Sequence, residues 1–218
     1  LTAVGAVPYS IVDGAWVPRM VRVSPNGALV FAALGTAGDA IFTFNTATGQ
    51  AVHVEHLKLT TNTSDNALAV DSNSAYLYVA RSGVGPGVAV YTIGAQGHIV
   101  SVAGSPFAAG TQTYSVTLDK TGKYVYAANR GDSTISGYTI GTGGALTALS
   151  GSPYVSGLQV TSLGTDSSGK YLLAAAANGS PDLTMYSFDT VTPGKLVQAT
   201  TVSTATAPAG AIAVALTH

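Results

Sequence analysis

Residues 123–140 read KYVYAANRGDSTISGYTI. Two apolar, tyrosine-rich runs flank a small polar loop, and nearly the same pattern occurs three more times. Four short turns align: Ser24-Pro25-Asn26-Gly27, Asp71-Ser72-Asn73-Ser74, Asp119-Lys120-Thr121-Gly122 and Asp166-Ser167-Ser168-Gly169, at steps of 47, 48 and 47 residues. Behind each turn comes an apolar run: LVFAAL at 29–34, YLYVA at 76–80, YVYAAN at 124–129 and YLLAAAA at 171–177. A further run follows each time, ending near Phe44, Tyr91, Tyr138 and Tyr186. Self-similarity at a fixed period of this size marks a repeat architecture.

The runs are short, rich in Val, Ile, Tyr and Thr, and closed by Gly, Asn, Asp or Pro. β-Branched and aromatic side chains suit a pleated, packed surface. Turns every ten or so residues leave too little room for helices. In the third unit, strand a is 113–119, b is 124–129, c is 134–140 and d is 145–154. Asp119 to Gly122 makes a tight a–b hairpin, as Asp and Gly at those places allow. The fold class expected is all-β, a β-propeller of four-stranded antiparallel blades with helix nearly absent. A single propeller domain over 1–218 would hold four full blades, near 18–59, 64–107, 111–154 and 160–204. Residues 1–9 read as an outer strand d and 209–217 as an inner strand a of incomplete blades. Phe31, Tyr78, Tyr126 and Leu173 fall at equivalent positions and are expected to pack between blades. Ser133, in a loop, is expected to tolerate substitution at under about 0.5 kcal/mol.

Only 9% of the residues are charged and the formal net charge is −1, so no basic patch could cover a phosphate backbone. Nucleic acid is therefore excluded as a partner. The chain has no Cys, which removes disulfides, thiolate catalysis and Cys-ligated zinc. No apolar run is long enough for a membrane span, and no signal peptide is visible. The polar surface must come from Thr, Ser, Asn and Gly, which suits a secreted, periplasmic or cell-surface protein of bacterial type. No phosphate loop, dinucleotide fingerprint or Gly-x-Ser-x-Gly elbow is present, so no cofactor is expected.

SPNGALVFAAL, DKTGKYVYAANRGDSTISGYTI and the recurring GSPF and GSPY resemble the repeats of the lactonase-type seven-bladed propellers, related to the YVTN surface-protein repeats. The resemblance implies seven blades, more than this chain can supply. A partial chain is therefore expected, its ring completed by a missing remainder or by other copies of the chain. Each end blade would otherwise leave an apolar face bare. The resemblance also implies a site of polar side chains around the channel mouth. Pro18-Arg19 stands where a Pro-His pair often opens strand a in such repeats, which removes a possible general base.

In a propeller the d–a and b–c connections share one face, and strand a lines the channel. That topology gathers Arg19, Asp65, Asn66 and Tyr114 near the starts of strand a, with Arg81, Asn129, Arg130, Asp132, Asn178 and Asp182 after strand b. The candidate ligand-binding residues are Arg19, Asp65, Arg81, Tyr114, Asn129 and Arg130. Arginines gathered on one rim can hold a small anionic ligand through a carboxylate or phosphate. Alternatively Arg81 and Arg130 brace their own loops. His53-Val54-Glu55-His56 is not expected to bind metal: strand alternation points His53 and Glu55 one way and His56 the other. Two functions remain open. The scarcity of acid, base and nucleophile side chains favours a noncatalytic surface scaffold or binding protein, and the resemblance favours a lactonase-like hydrolase of sugar-acid lactones.

Overall fold

The computed structural model describes residues 18–179 and 181–203; the strands expected at 1–9 and 209–217 lie outside them. The described residues form four antiparallel sheets. The first is β1 (Met20–Val23), β2 (Leu29–Ala33), β3 (Asp39–Asn45) and β4 (Gln50–Leu57). The second is β5 (Thr63–Val70), β6 (Tyr76–Gly83), β7 (Gly87–Ile93) and β8 (Ile99–Ser101), with β9 (Phe107–Ala108) also on β7. The third is β10 (Thr113–Leu118), β11 (Tyr124–Asn129), β12 (Thr134–Ile140) and β13 (Leu146–Ala148), with β14 (Tyr154–Val155) also on β12. The fourth is β15 (Val160–Thr165), β16 (Tyr171–Ala176), β17 (Leu183–Phe188) and β18 (Leu196–Val202). Among the described residues helix is confined to two single 3₁₀ turns. The chain is all-β, and its sheets are four blades of a propeller. The inner strands β1, β5, β10 and β15 lie side by side.

The Asp-led turns recur because the carboxylate organises the hairpin. Asp119 Oδ1 accepts from the N–H groups of Lys123 (3.0 Å) and Tyr124 (2.8 Å), and Oδ2 accepts from Thr121 N–H (2.9 Å). Asp71 and Asp166 repeat these contacts. In the first blade the Ser24 hydroxyl accepts from Leu29 N–H (2.9 Å) instead. A side-chain acceptor that closes its own turn is the usual reason for Asp or Ser there.

Outer strand d of the third blade is not one run over 145–154. It is two short pieces, β13 and β14, that pair with opposite ends of β12. Between them Ser152 turns its hydroxyl to accept the Gly137 N–H (2.9 Å). Ser105 does the same for Val90 N–H (2.8 Å) in the second blade. The recurring Gly-Ser-Pro thus replaces a missing ladder carbonyl with a side chain, which keeps a buried donor paired. The first and fourth blades lack this element, and β4 and β18 run through.

Three apolar seams join the blades. Phe31 of the first blade packs among Leu68, Leu77, Val79 and Tyr91 of the second. Tyr78 packs against Val116, Val125 and Tyr138 of the third, and Tyr126 against Leu163, Leu172 and Tyr186 of the fourth. All three rings are essentially inaccessible. Each buried hydroxyl needs a partner, and Tyr126 donates to Gly194 O (2.6 Å) in the turn of the next blade. Tyr138 and Tyr186 donate to Ala108 O and Val155 O (both 2.5 Å) of the preceding blade. Leu173 is only half-buried, in contrast to its three equivalents, because no described blade follows the fourth.

Truncation of Tyr126 to Ala empties a closed seam and is expected to cost about 3–5 kcal/mol. Tyr126→Phe removes only the bond to Gly194 and should cost about 1 kcal/mol. Urea unfolding of the two variants measures the difference. Ser133 is a correction to the expectation of a neutral loop position. It is left-handed (φ 56°), and its hydroxyl accepts from Gln159 N–H (3.0 Å). Ser133→Ala should therefore cost about 1 kcal/mol, whereas Thr147→Ala on the exposed outer strand should cost under about 0.5 kcal/mol.

Candidate functional site

The heads of the inner strands β5, β10 and β15 are shaped by a β-bulge repeated from blade to blade. In the second blade Asp65 opposes Arg81 and Ala67 opposes Ala80, which leaves Asn66 as the extra residue. Tyr114 is the extra residue in the third blade and Thr161 in the fourth. Arg19 holds the same place ahead of β1, its N–H bonded to Ala33 O (2.8 Å). Bulges re-aim side chains at the rims of sheets, often beside active sites. Here they put Arg19, Asn66 and Tyr114 at one level at the head of the inner strands. Thr161 is buried, with its hydroxyl on Ala175 O (3.4 Å).

These residues form a chain of contacts across the blades. Arg19 Nη1 donates to Asn66 Oδ1 (2.6 Å), and Asn66 Nδ2 donates to Thr113 O (2.9 Å). Thr113 precedes Tyr114, over whose ring the Arg130 guanidinium carbon lies 5.4 Å from the centroid. Arg130 Nη2 reaches Gln159 Oε1 (3.2 Å) at the start of the fourth blade. Its Nε is buried without a hydrogen-bond partner. Gly35 carries a positive φ (66°), and a Cβ there would lie 2.8 Å from Arg19 Nε, so a glycine is needed for the arginine to cross.

The six candidate residues fall into two groups. Arg19, Tyr114 and Arg130 stand around the heads of the inner strands, and among the described residues neither arginine has a carboxylate partner. Asp65, Arg81 and Asn129 lie behind it. Arg81 binds Asp65 through Nε and Nη2 (both 2.7 Å), and Nη2 also donates to Tyr91 Oη (2.9 Å). The Asp65 side chain is wholly inaccessible. That carboxylate and the Tyr91 oxygen hold the Arg81 guanidinium well above its usual pKa against the opposing effect of burial. The Asn129 amide donates to Thr134 Oγ1 (3.0 Å) and Ser136 Oγ (2.9 Å) and is closed to solvent. Asp132 is taken up by its loop, where it accepts from Thr111 N–H (2.6 Å) and the Thr111 hydroxyl (2.5 Å).

Two residues were missed in the sequence. Gln159 becomes part of the rim because it is left-handed (φ 55°), as Asn62 (63°) and Gln112 (52°) are in earlier blades. Gln112 and Gln159 keep the 47-residue step of the repeat, which was a signal of a shared backbone position. Asp39 lies buried beside Asp65, and nothing in its local sequence announces a buried carboxyl.

His53-Val54-Glu55-His56 does not follow simple alternation. A bulge at Val54 pairs His53 with Phe42 and Glu55 with Ile41, so the two side chains take opposite faces. His53 lies edge-on to Phe42, Glu55 accepts from Ile99 N–H (3.2 Å), and His56 Nε2 contacts Ala37 O (2.8 Å). Among the described residues no three His, Asp or Glu side chains converge as a metal site. No helix among them is long and apolar enough to cross a membrane.

Comparison with solved structures shows the same architecture. A periplasmic gluconolactonase from Pseudomonas aeruginosa superposes with a TM-score of 0.72 at 15% identity, over 86% of this chain and 57% of that one. A candidate 6-phosphogluconolactonase from Bacteroides uniformis gives 0.71 at 20% identity, over 84% and 54%. A second such protein, from Bacteroides fragilis, gives 0.69 at 21% identity, over 89% and 56%. The chain thus spans little more than half the length of these structures, and at these identities the likeness shows the fold. No curated protein matches the sequence. Residues 17–209 match the family described as lactonase, 7-bladed β-propeller. That match corrects the expectation of a noncatalytic scaffold, which rested on the shortage of acid, base and nucleophile side chains, because it joins the chain to a family of enzymes. With four blades of the family's ring and a match over nearly all of its length, this chain belongs to the lactonase seven-bladed β-propeller family.

Proposed function

We infer that the protein is a lactonase that opens sugar-acid lactones carrying a carboxylate or phosphate. The observation that supports this most is the pairing of Arg19 and Arg130 on one rim, each without a carboxylate partner among the described residues, in a lactonase-family propeller. A guanidinium that is already neutralised, such as Arg81, has little charge to offer a ligand. Arg130 is braced on the Tyr114 ring and by Gln159, and Arg19 by Asn66. Held guanidinium groups can receive an anion bidentately without first losing their own freedom.

Among the described residues no His, Asp or Glu stands free at this rim to act as a general base. Electrostatic stabilisation of the tetrahedral oxyanion by a fixed guanidinium fits the residues that are present. One arginine would hold the anionic tail, and the other would sit at the ring carbonyl as water attacks. The carbonyl carbon gains the water oxygen, the ester C–O bond breaks, and the departing alkoxide takes a proton to leave a hydroxy acid.

The same reading places the protein outside the cytoplasm, in the periplasm or at the cell surface, in keeping with its Thr-, Ser- and Asn-rich surface. It also completes the ring with further blades, whether from a longer polypeptide or from other copies of the chain. Val21 and Val23 on the first blade and Val197 and Val202 on the fourth are each more than 40% exposed, as expected of faces that receive a neighbour.

Turnover of 6-phosphogluconolactone, which carries a phosphate tail, followed by acid release, tests the activity, with uncharged gluconolactone as the comparison that lacks the tail. Arg19→Ala with Arg130→Ala should lower kcat/KM by about 10²-fold or more. A double variant that hydrolyses both lactones at the parental rate would remove the site assignment. Native mass spectrometry of the 218-residue chain tests the missing blades. Association is expected, and a stable monomer at micromolar concentration would overturn the requirement for them.

A further inference from the structure

Behind the rim, the seam between the first two blades contains a polar cluster that the lactone reading does not use. Asp39 opens β3, opposite Ala33 on one side and Leu57 on the other. It is wholly inaccessible, and neither carboxyl oxygen finds a donor among the protein groups. Another acid lies beside it: the Asp39 carboxyl is within hydrogen-bonding reach of Asp65, which is equally buried. Asp65 already takes two bonds from Arg81. The cluster therefore contains two carboxyls and one guanidinium, and two buried carboxylates in contact repel strongly. A single proton removes both problems. It balances the charge against Arg81, and it turns an empty contact between acceptors into a hydrogen bond.

We propose that Asp39 and Asp65 share one proton across this seam, and that the proton makes Asp39 a positioning residue for the Arg19–Asn66 pair. The route is short. Asp65 is the residue before the bulged Asn66, and its backbone exchanges two hydrogen bonds with Gly35 of the first blade (both 3.1 Å). Gly35 is the residue that Arg19 crosses. A second negative charge at Asp39 would push against Asp65 and strain the backbone bridge that sets Arg19 against Asn66. The groups around Asp39 are Asp65 on β5, Arg81 on β6 and Tyr91 on β7. His56 on β4 is one residue along the ladder, and its ring is engaged by Ala37 O. Burial first, and Asp65 next, raise the Asp39 carboxyl well above its usual range, with Arg81 opposing. Burial likewise raises Tyr91, so the phenol stays neutral below about pH 9.

The sign follows from proton uptake. A carboxyl whose pKa is raised by folding holds its proton in the native state at pH values where the unfolded chain has lost it. Its contribution is full at acid pH and is lost as pH climbs from about 4 through the folded value. Asp39→Asn supplies a permanent donor of the same shape.

The wild-type protein should therefore show the infrared C=O band of a neutral carboxylic acid at neutral pH, and Asp39→Asn should lack it. The urea midpoint of the wild type should fall between about pH 5 and about pH 9 more steeply than that of Asp39→Asn. Gluconate keeps one charge across this range, so it serves as the probe of the rim. Its binding should weaken with rising pH in the wild type and hold in Asp39→Asn. The positioning role rests on the lactone-site reading, and the shared proton does not. No neutral-acid band, or equal pH slopes of stability, would overturn the shared proton. Parallel pH dependence of gluconate binding in the two proteins would overturn the positioning role. If gluconate binds neither protein at any pH, the lactone-site reading falls and the positioning role with it, while the infrared band still decides the proton.

Discussion

The structure depends on burial of one large side chain per blade against the next blade. Phe31, Tyr78 and Tyr126 occupy one repeat position, and each fills the seam to its neighbour. A single four-stranded sheet with two apolar faces cannot bury both by itself. Stacking is the solution, which is why the repeat period, the strand lengths and the turn chemistry all recur together. Tyr126, Tyr138 and Tyr186 add a second condition. Their hydroxyls are buried, so the facing blade must offer a carbonyl, and Gly194, Ala108 and Val155 do so. The seam is therefore specific in register as well as apolar.

Within that frame the channel mouth is built by irregularities. A regular inner strand would alternate its side chains between the two seams. One extra residue per strand breaks the alternation and brings Asn66 and Tyr114 to the level of Arg19. Function and stability then divide the arginines. Arg81 is spent inside the seam on Asp65 and Tyr91, where removing either partner would strand a buried charge. Arg19 and Arg130 have no carboxylate partner among the described residues. In a chain with 9 Lys and Arg in all, two unneutralised guanidiniums on one rim are a large share of the available positive charge.

The family assignment and the residue chemistry inform each other. Among the described residues the rim offers guanidinium groups and no free imidazole or carboxylate. Fixed guanidinium groups are suited to holding an anion and to stabilising developing negative charge.

The sequence by itself determined the strands, their antiparallel order within each blade, the period and the family resemblance. All of these are local or periodic: apolar alternation, Asp-led turns, and Tyr or Phe at steps of 47 or 48 residues. It also placed Arg19, Tyr114 and Arg130 on one face, because the order of strands alone decides which loops share an end. Only the tertiary structure decided which polar groups are spent. The bond of Arg81 to Asp65 depends on the bulge at Asn66, and the split of strand d depends on how Ser152 meets Gly137. Leu173 looked equivalent to Tyr126, yet its burial depends on a neighbouring blade. The contact between Asp39 and Asp65 joins residues of different blades whose separation in sequence follows no turn or ladder. Such contacts are set by how blades stack, and stacking distance leaves no periodic trace in the order of the amino acids.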